Sequence, residues 1–478
     1  TDYHCKNTPP PNYEGGHQKI LDLPEKLNLM KQVYFIGIGG IGMSALARYF
    51  LSEGWKVFGS DISPSGIIKG LKKEGIKALI GPQNAKNIKN PDLIVYSQAI
   101  NGDNPELLAG RKKNIECRLY AEILGELTKK YKTIAISGAH GKSTTTALVS
   151  LILIEAGFDP TVIIGTKLKE FNDTNFRKGK SEWLIIEADE WKGSFWHYSP
   201  FISLVNNIDR EHLDFYKNFS NIRKSFIKFI NNNDSGGRVI FNDDDKNLSD
   251  LIKRNNFKTK TIPYSFYRKI LPKIKSNLGV PGKHNIQNAL GAYCIGKYLK
   301  IPDYKILKAL HKYTGAWRRM EYRGGLKVKS SKSKVMVFDD YAHHPTEIKA
   351  TLAAFRGKWP KNALICVFQA HQAERLKRLF PAFKTAFKDA DCSIILPTYK
   401  VAGRDIKEGL KFGSKALTKA IKGVYISDPD KGLMPVLKSI ILSAKSLPAG
   451  RQAPFTLVMM GAGDITKYTD KLFTKFKK

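Results

Sequence analysis

Residues 33–61 read VYFIGIGGIGMSALARYFLSEGWKVFGSD. The apolar run at the start has the composition of a strand covered on both faces. Gly37, Gly39, Gly40 and Gly42 follow it and open a segment of helical period, after which a second apolar run ends at Asp61. Strand, glycine loop, helix and strand make one β-α-β unit. Such a loop lets backbone N–H groups approach a pyrophosphate at the positive end of a helix, and Asp61 stands about 20 residues on, where an acid can take a ribose. Alone, this unit favours a nicotinamide dehydrogenase, and a glycine turn needed only for packing is the plainer alternative.

Working outward, the same pattern recurs. LIVYSQAI, Leu93 to Ile100, reads as a buried strand, and the first block closes near Leu127 at the charged stretch Thr128 to Lys132. A second block opens with the strand TIAIS and a helix from Lys142 to about Ala156, continues through WLIIEADE and FISLVNNI, and closes with a helix from Asn285 to Leu299. A third, from about Tyr322, holds VMVFDDY, ALICVF, SIILP and TLVMMG between helical patterns. Alternating strands and helices predict an α/β protein with three sheets and divisions at 32–128, 129–321 and 322–478. Residues 1–31, with Pro9, Pro10, Pro11 and a Gly pair, read as an N-terminal arm, and Lys445 to Thr456 as an exposed loop.

The chain has 478 residues, about three times the usual domain of roughly 150. Its 42% hydrophobic and 26% charged content excludes disorder or coiled coil for the whole. No apolar run reaches the ~20 residues that span a bilayer, so neither a membrane span nor export is expected. Five scattered cysteines without a CxxC pair give neither a disulfide framework nor a zinc site, which suits the cytoplasm. The net charge of +36 invites a nucleic-acid reading. The lysines are spread along the whole length with no arginine-rich arm, so no nucleic-acid partner is expected.

The strongest chemical signal is SGAHGKSTTT, Ser137 to Thr146, between a strand and a helix. It is a shortened phosphate loop. Lys142 can reach the β- and γ-phosphates of a nucleotide, the Ser143 hydroxyl can ligate Mg²⁺, and helix-start amides face the phosphates. Glu187 ends the strand WLIIE, where a carboxylate can hold the same ion. His212 lies just past the next strand and is a candidate metal or phosphate ligand, though a lone histidine is more often structural. Asn285 and Asn288 at a helix start can read an adenine edge or simply cap the helix. Arg318 and Arg319 in a loop suit a phosphate clamp. DDYAHHPTE gathers two acids, Tyr341, His343 and His344 at a strand end, and FQAHQAER repeats the arrangement with His371 and Arg375.

In this order, GIGGIGMSALA, SDISPS, AINGDNPEL, AISGAHGKSTTT, IEADE, NNIDREHLDFY, VPGKHNIQNA, TGAWRRMEYRG, DDYAHHPTEI, FQAHQAERL and MGAGDI resemble the Mur ligase family, from about Val33 to Gly463. The resemblance implies a Rossmann-like domain for a UDP-sugar, a central ATPase domain of the P-loop type with a parallel sheet, and a C-terminal Rossmann-like domain for an amino acid. It implies an ATP-dependent, ADP-forming ligase joining L-alanine to the lactyl carboxylate of UDP-N-acetylmuramate in peptidoglycan synthesis, through an acyl phosphate. The branch that adds a preformed tripeptide during wall recycling is the alternative, and the enzyme would act as a monomer or homodimer.

By this resemblance Gly37, Gly39, Gly40, Gly42 and Asp61 bind the UDP-sugar. Gly138, Ala139, His140, Gly141, Lys142, Ser143, Thr144, Asn285, Asn288, Arg319 and Asp340 bind ATP. Ser143, Glu187 and His212 hold Mg²⁺, with Lys142, Glu187, His212, Arg319 and His343 catalytic. Tyr341, His344, His371 and Arg375 receive the amino acid. The chain departs from the family pattern at Ser143, Trp191, Lys192, Glu211, Ala370, Gln372 and Leu376, which leaves ATP chemistry intact and bears on amino-acid selectivity.

Overall fold

A computed structural model describes residues 31–327, 334–399, 411–442 and 454–476. The expected arm, but for Lys31, and most of the loop expected before the last strand lie outside the described residues. Three sheets follow one another along the chain. The first contains β1 (Gln32–Ile36), β2 (Lys56–Asp61), β3 (Lys77–Ile80), β4 (Leu93–Tyr96) and β5 (Glu116–Leu119), in the order β3-β2-β1-β4-β5. All its pairs are parallel. Strand order reverses beside β1, so the glycine loop after β1 opens at the point where such sheets leave a crevice. β4 ends at Tyr96, and Ser97 to Ile100, read as strand from composition, leave the sheet as a turn whose Ser97 and Gln98 line that crevice.

The second sheet holds β6 (Lys132–Ser137), β7 (Thr161–Leu168), β8 (Thr174–Arg177), β9 (Trp183–Glu187), β10 (Ile202–Val205), β11 (Arg238–Phe241) and β12 (Lys260–Pro263), in the order β12-β11-β10-β6-β9-β7-β8. β6 is central and nearly all buried, as its continuous apolar run requires. The helix Lys142–Ala156 follows it, bounded by glycines in left-handed conformation at both ends, Gly141 (φ +81°) and Gly157 (φ +89°). Only β7 and β8 pair antiparallel among these seven. The third sheet, β13 (Glu321–Lys327), β14 (Lys334–Asp340), β15 (Ala363–His371), β16 (Cys392–Tyr399), β17 (Val424–Tyr425) and β18 (Phe455–Met460), runs β13-β14-β18-β15-β16-β17, with β13 antiparallel at the edge. The fold is therefore three-domain α/β.

The domains are joined unequally. Phe35, Leu46 and Tyr49 of the first domain share one apolar cluster with Phe195, Tyr198 and Phe226 of the second. The helix Tyr120–Lys130 leads into β6 with Tyr131 alone between them. Asn175 on β8 seats the pair further: its carboxamide accepts from Arg48 Nη1 at 2.5 Å and donates to Ser44 Oγ at 3.0 Å, while Arg48 also forks onto Glu74 at 2.7 Å. The third domain has its own clusters on the two faces of its sheet.

Gly125 marks how tightly the first joint is packed. A Cβ there would lie 2.5 Å from the His197 carbonyl oxygen, a backbone atom that cannot step aside. Gly125→Ala should therefore destabilise the first two domains by ~1–3 kcal/mol, the usual range for overpacking. A urea unfolding curve checks it, and an unmoved midpoint would show that the joint is looser than its packing.

Candidate active site

The three domains meet around two adjoining cavities. The larger, ≈ 560 Å³, is walled by Gly40, Gly42, Ser97 and Gln98 from the first domain, by Lys142, Ser143, Glu187, Asp189, Trp191 and His212 from the second, and by Arg319, Tyr341 and His343 around the third sheet. The smaller, ≈ 420 Å³, is lined by His140, Thr144, Asn285, Asn288, Tyr264 and Asp340 among others. Gly141, Arg319 and Glu347 belong to both walls, so the cavities abut at the phosphate loop.

On the first domain, Gly37 (φ +83°) turns the chain so that its amide reaches the Ser60 carbonyl at 2.9 Å. Asp61 is drawn inward: one carboxylate oxygen accepts the Gly39 amide at 2.9 Å and the other the Ser63 amide at 3.3 Å. Its carboxylate thus braces the glycine loop. Gly40 and Gly42 reach the cavity wall, and a Cβ on Gly42 would meet the Tyr120 hydroxyl at 2.9 Å.

In the second domain the phosphate loop is built on left-handed Gly138 (φ +130°) and Gly141. Ala139 and Lys142 face the larger cavity, whereas His140 and Thr144 face the smaller. Lys142 Nζ donates to the Gly138 carbonyl at 2.8 Å and to Glu190 Oε2 at 2.9 Å. Burial would discharge this lysine, but Glu190 and the neighbouring carboxylates outweigh it and hold the ammonium above its ordinary range. Ser143 Oγ donates to Glu187 Oε2 at 3.2 Å, and Glu187 Oε1 accepts the Gly165 amide at 2.6 Å. Burial pushes the Glu187 carboxyl up. It does so against Lys142, Arg319 and the Gly165 and Ser143 hydrogen bonds, which favour the charged form.

His212 stands with Asp189 and Glu190, the three offering ligand atoms within 4.8 Å of one another. Glu190 Oε1 is buried without a hydrogen-bond partner, 3.7 Å from His212 Nε2. A partnerless buried oxygen and a desolvated Glu187 on either side of Lys142 make a donor set of hard oxygens that fits a small divalent cation. A second cluster, His140, Glu211 and His344, also has ligand atoms within 4.8 Å. There His140 is engaged by carboxylates at both nitrogens and Glu211 by Arg375, so the charges balance without an ion.

Around the smaller cavity, Asn285 is tied by its amide to the Pro281 carbonyl at 2.6 Å, while Asn288 places its Oδ1 2.4 Å from where a Cβ on Gly141 would sit, which keeps that position glycine. Asp340 accepts the Met320 amide at 2.8 Å and the Ala342 amide at 2.9 Å, and burial pushes its carboxyl up. The two neighbouring arginines part company. Arg318, at φ +57°, turns inward and donates to the Gly461 and Gly463 carbonyls, whereas Arg319 faces both cavities with its guanidinium 4.8 Å from the Tyr341 ring centre. Arg318 lines the larger cavity as well, but its guanidinium is spent on those two carbonyls, so Arg319 is the better placed to clamp a phosphate.

His343 Nδ1 lies 3.1 Å from the Tyr341 carbonyl and 3.2 Å from Glu347 Oε2. His344 is buried and caps the helix Pro345–Lys358 through Nδ1, and burial lowers its pKa to about 4. His371 is stacked on Tyr399 with ring centres 5.7 Å apart. Arg375 donates to Glu211 Oε2 at 3.0 Å and to the His371 carbonyl at 3.2 Å, so both arms of its fork are engaged. His344, His371 and Arg375 therefore stand behind the walls of the two cavities, where Tyr341 and His343 lie on them. Glu190, Asp209, Glu211 and Glu347 were not assigned a role in the site from the sequence. They lie in the quoted motifs, but their partners are 48 to 207 positions away, where no local pattern shows them.

Family comparison matches residues 32–132 to the Mur ligase family catalytic domain, 136–296 to the Mur ligase middle domain and 318–439 to the Mur ligase glutamate ligase domain. A UDP-N-acetylmuramate–L-alanine ligase from Clostridium acetobutylicum is 38% identical over 474 residues, covering 94% of this chain and 99% of that one. Among solved structures, a UDP-N-acetylmuramate–alanine ligase from Thermotoga maritima superposes with a TM-score of 0.72 at 25% identity over 94% of this chain and 99% of that chain. A murein peptide ligase from Psychrobacter arcticus shares the fold, with a TM-score of 0.67 at 22% identity over 93% and 98%. Among the described residues, no helix is long and apolar enough to cross a membrane.

Proposed function

The chain belongs to the Mur ligase family, and from that premise we propose that it joins L-alanine to the lactyl carboxylate of UDP-N-acetylmuramate at the expense of ATP. The observation that carries this reading is the abutment of two cavities at Gly141, Arg319 and Glu347, one rimmed by the glycine loop of the first domain and the other by the phosphate loop of the second. Such an arrangement brings a sugar nucleotide and an energy donor to one point.

In this reading residues 32–128 bind the UDP-sugar through Gly37, Gly39, Gly40 and Gly42, with Asp61 acting as the brace of that loop. Residues 129–321 bind ATP through Gly138 to Thr144, Asn285, Asn288, Arg319 and, from the next domain, Asp340. Residues 322–478 present the amino acid. Condensing a carboxylate with an amine is uphill in water, so the carboxylate first acquires a leaving group. Its oxygen attacks the γ-phosphate, and Lys142 and Arg319 stabilise the charge on the transferring group. The amine of alanine then attacks the acyl carbon and phosphate departs, with His343 taking the proton. Mg²⁺, held by Ser143, Glu187 and His212, would neutralise phosphate charge. Tyr341 faces the reacting groups, and His344, His371 and Arg375 support the amino-acid side from behind. The enzyme acts in the cytoplasm, as a monomer or homodimer, without nucleic acid.

The test is an incubation with ATP, Mg²⁺ and UDP-N-acetylmuramate, offering L-alanine, glycine, L-serine and the stem tripeptide separately and reading phosphate release and product mass. Product with alanine supports the proposal. Product with tripeptide alone would move the chain to the recycling branch, and absence of any amide would end the reading.

A further inference from the structure

His140 sits inside the phosphate loop, yet its main chain and side chain do different things. The main chain is fastened within the second domain: its amide donates to Asn207 Oδ1 at 2.9 Å, and its carbonyl accepts from the Asn206 and Asn207 carboxamides at 3.3 and 3.1 Å. The imidazole turns away from the loop and lies between two carboxylates, with Nε2 2.9 Å from Asp209 Oδ2 and Nδ1 3.3 Å from Glu347 Oε1. Glu347 belongs to the third domain. Its other oxygen accepts the His343 amide at 3.1 Å, and the Thr346 hydroxyl beside it reaches back to Asp209 at 2.9 Å. Against the burial that by itself would discharge it, Asp209 and Glu347 hold the imidazole charged, its pKa pushed up to about 10.

These contacts stand out because much of that seam is a cleft, although it closes where a Cβ on Gly282 would lie 2.8 Å from the Ala354 Cβ and where Arg375 meets Glu211. The first two domains share an apolar core, whereas the second and third are parted by a cleft of ≈ 980 Å³ between Gly282 and Ile286 on one side and Ala350, Ala353 and Gly357 on the other. Charged hydrogen bonds therefore take a share in orienting the third domain, with Tyr341 and His343, and one of them begins in the phosphate loop itself.

We propose that His140 is a positioning residue whose side chain registers the amino-acid domain on the phosphate loop, so that the amine reaches the activated carboxyl before water does. This rests on the ligase reading above. With the seam intact, the amine forms the C–N bond, the C–O bond to phosphate breaks, and the amine's proton leaves through a base. With the seam loosened, water attacks the same carbon. Carboxylate and phosphate are returned, a proton is released, and ATP is spent without an amide.

The readout is phosphate released per amide formed, with His140→Ala, His140→Gln and Glu347→Gln beside the parent at saturating substrates. The parent should release one phosphate per amide. His140→Ala should raise that ratio by about tenfold, the scale of losing one charge-assisted hydrogen bond. His140→Gln, able to donate to one carboxylate only, should fall between, and Glu347→Gln should raise the ratio from the other side of the seam. A ratio that stays at one in all three variants overturns the proposal, as does a rise in KM for ATP with the ratio unchanged. A His140→Ala protein that does not fold consumes no ATP, and Glu347→Gln then decides. If the parent itself makes no amide, the ligase reading fails first, and that result is distinct from a coupled parent with coupled variants.

Discussion

Lys142→Ala is expected to lower amide formation by ~10³-fold or more, while UDP-N-acetylmuramate binding stays nearly unchanged. The expectation follows from where the ammonium sits. Its nitrogen is 2.8 Å from the Gly138 carbonyl and 2.9 Å from Glu190, inside the turn where a terminal phosphate would lie, and both of these partners belong to the second domain. Removing it also strands Glu190, whose side chain is only 2% exposed. Breaking a buried pair by deleting one member costs about 3–5 kcal/mol, so the single variant would lose stability as well as rate. Lys142→Met combined with Glu190→Gln separates the two effects: stability should return and turnover should not. Steady-state rates, thermal unfolding and sugar-nucleotide titration together check it. Parent-like turnover in the doubly substituted protein would remove the phosphate loop from the reaction.

Glu187→Gln should show the opposite balance. The substitution keeps the shape of the side chain and an oxygen for the Gly165 amide, which the carboxylate now accepts at 2.6 Å. Because burial already pushes this carboxyl up, removing its charge relieves a desolvated anion, and the variant should be as stable as the parent or more so. Turnover should nevertheless fall by about 10²- to 10³-fold, with a higher Mg²⁺ concentration needed for half-saturation, since the one formal charge that Ser143 and Glu187 offer a cation is removed. Magnesium titrations of the rate, run beside unfolding curves, test both halves. A variant that is less stable but fully active would show Glu187 to be a packing residue.

Much of this was legible in the sequence because it is local. The glycine loop of residues 37–42 and the loop at 138–144 each lie within one short stretch, and the apolar runs of β6, β9 and β10 name parallel strands before any coordinates. The helix expected from Lys142 to about Ala156 has those bounds. The antiparallel strands β8 and β13 were not read, because short edge strands with mixed composition carry no apolar run. Side-chain partnerships were illegible for a different reason. Arg318 and Arg319 are identical in type and adjacent, and both reach the larger cavity, yet Arg318, on a left-handed backbone, spends its guanidinium on the Gly461 and Gly463 carbonyls while Arg319 reaches both cavities. Asp61 has the spacing of a ribose ligand, yet the loop it would serve takes its carboxylate through Gly39. Arg375 has the chemistry to grip an amino acid, and Glu211, 164 positions earlier, holds it instead. Composition and spacing say which groups exist; which neighbour each one faces is settled by the packing of three domains.

The central claim is that the carboxylate of the sugar nucleotide attacks the terminal phosphate of ATP. Labelling both carboxylate oxygens of UDP-N-acetylmuramate with ¹⁸O and analysing the released phosphate by mass tests it directly. One labelled oxygen should appear in each phosphate, because the oxygen that forms the bond to phosphorus leaves with it when the amine attacks carbon. Unlabelled phosphate, or label found in AMP, would contradict the account.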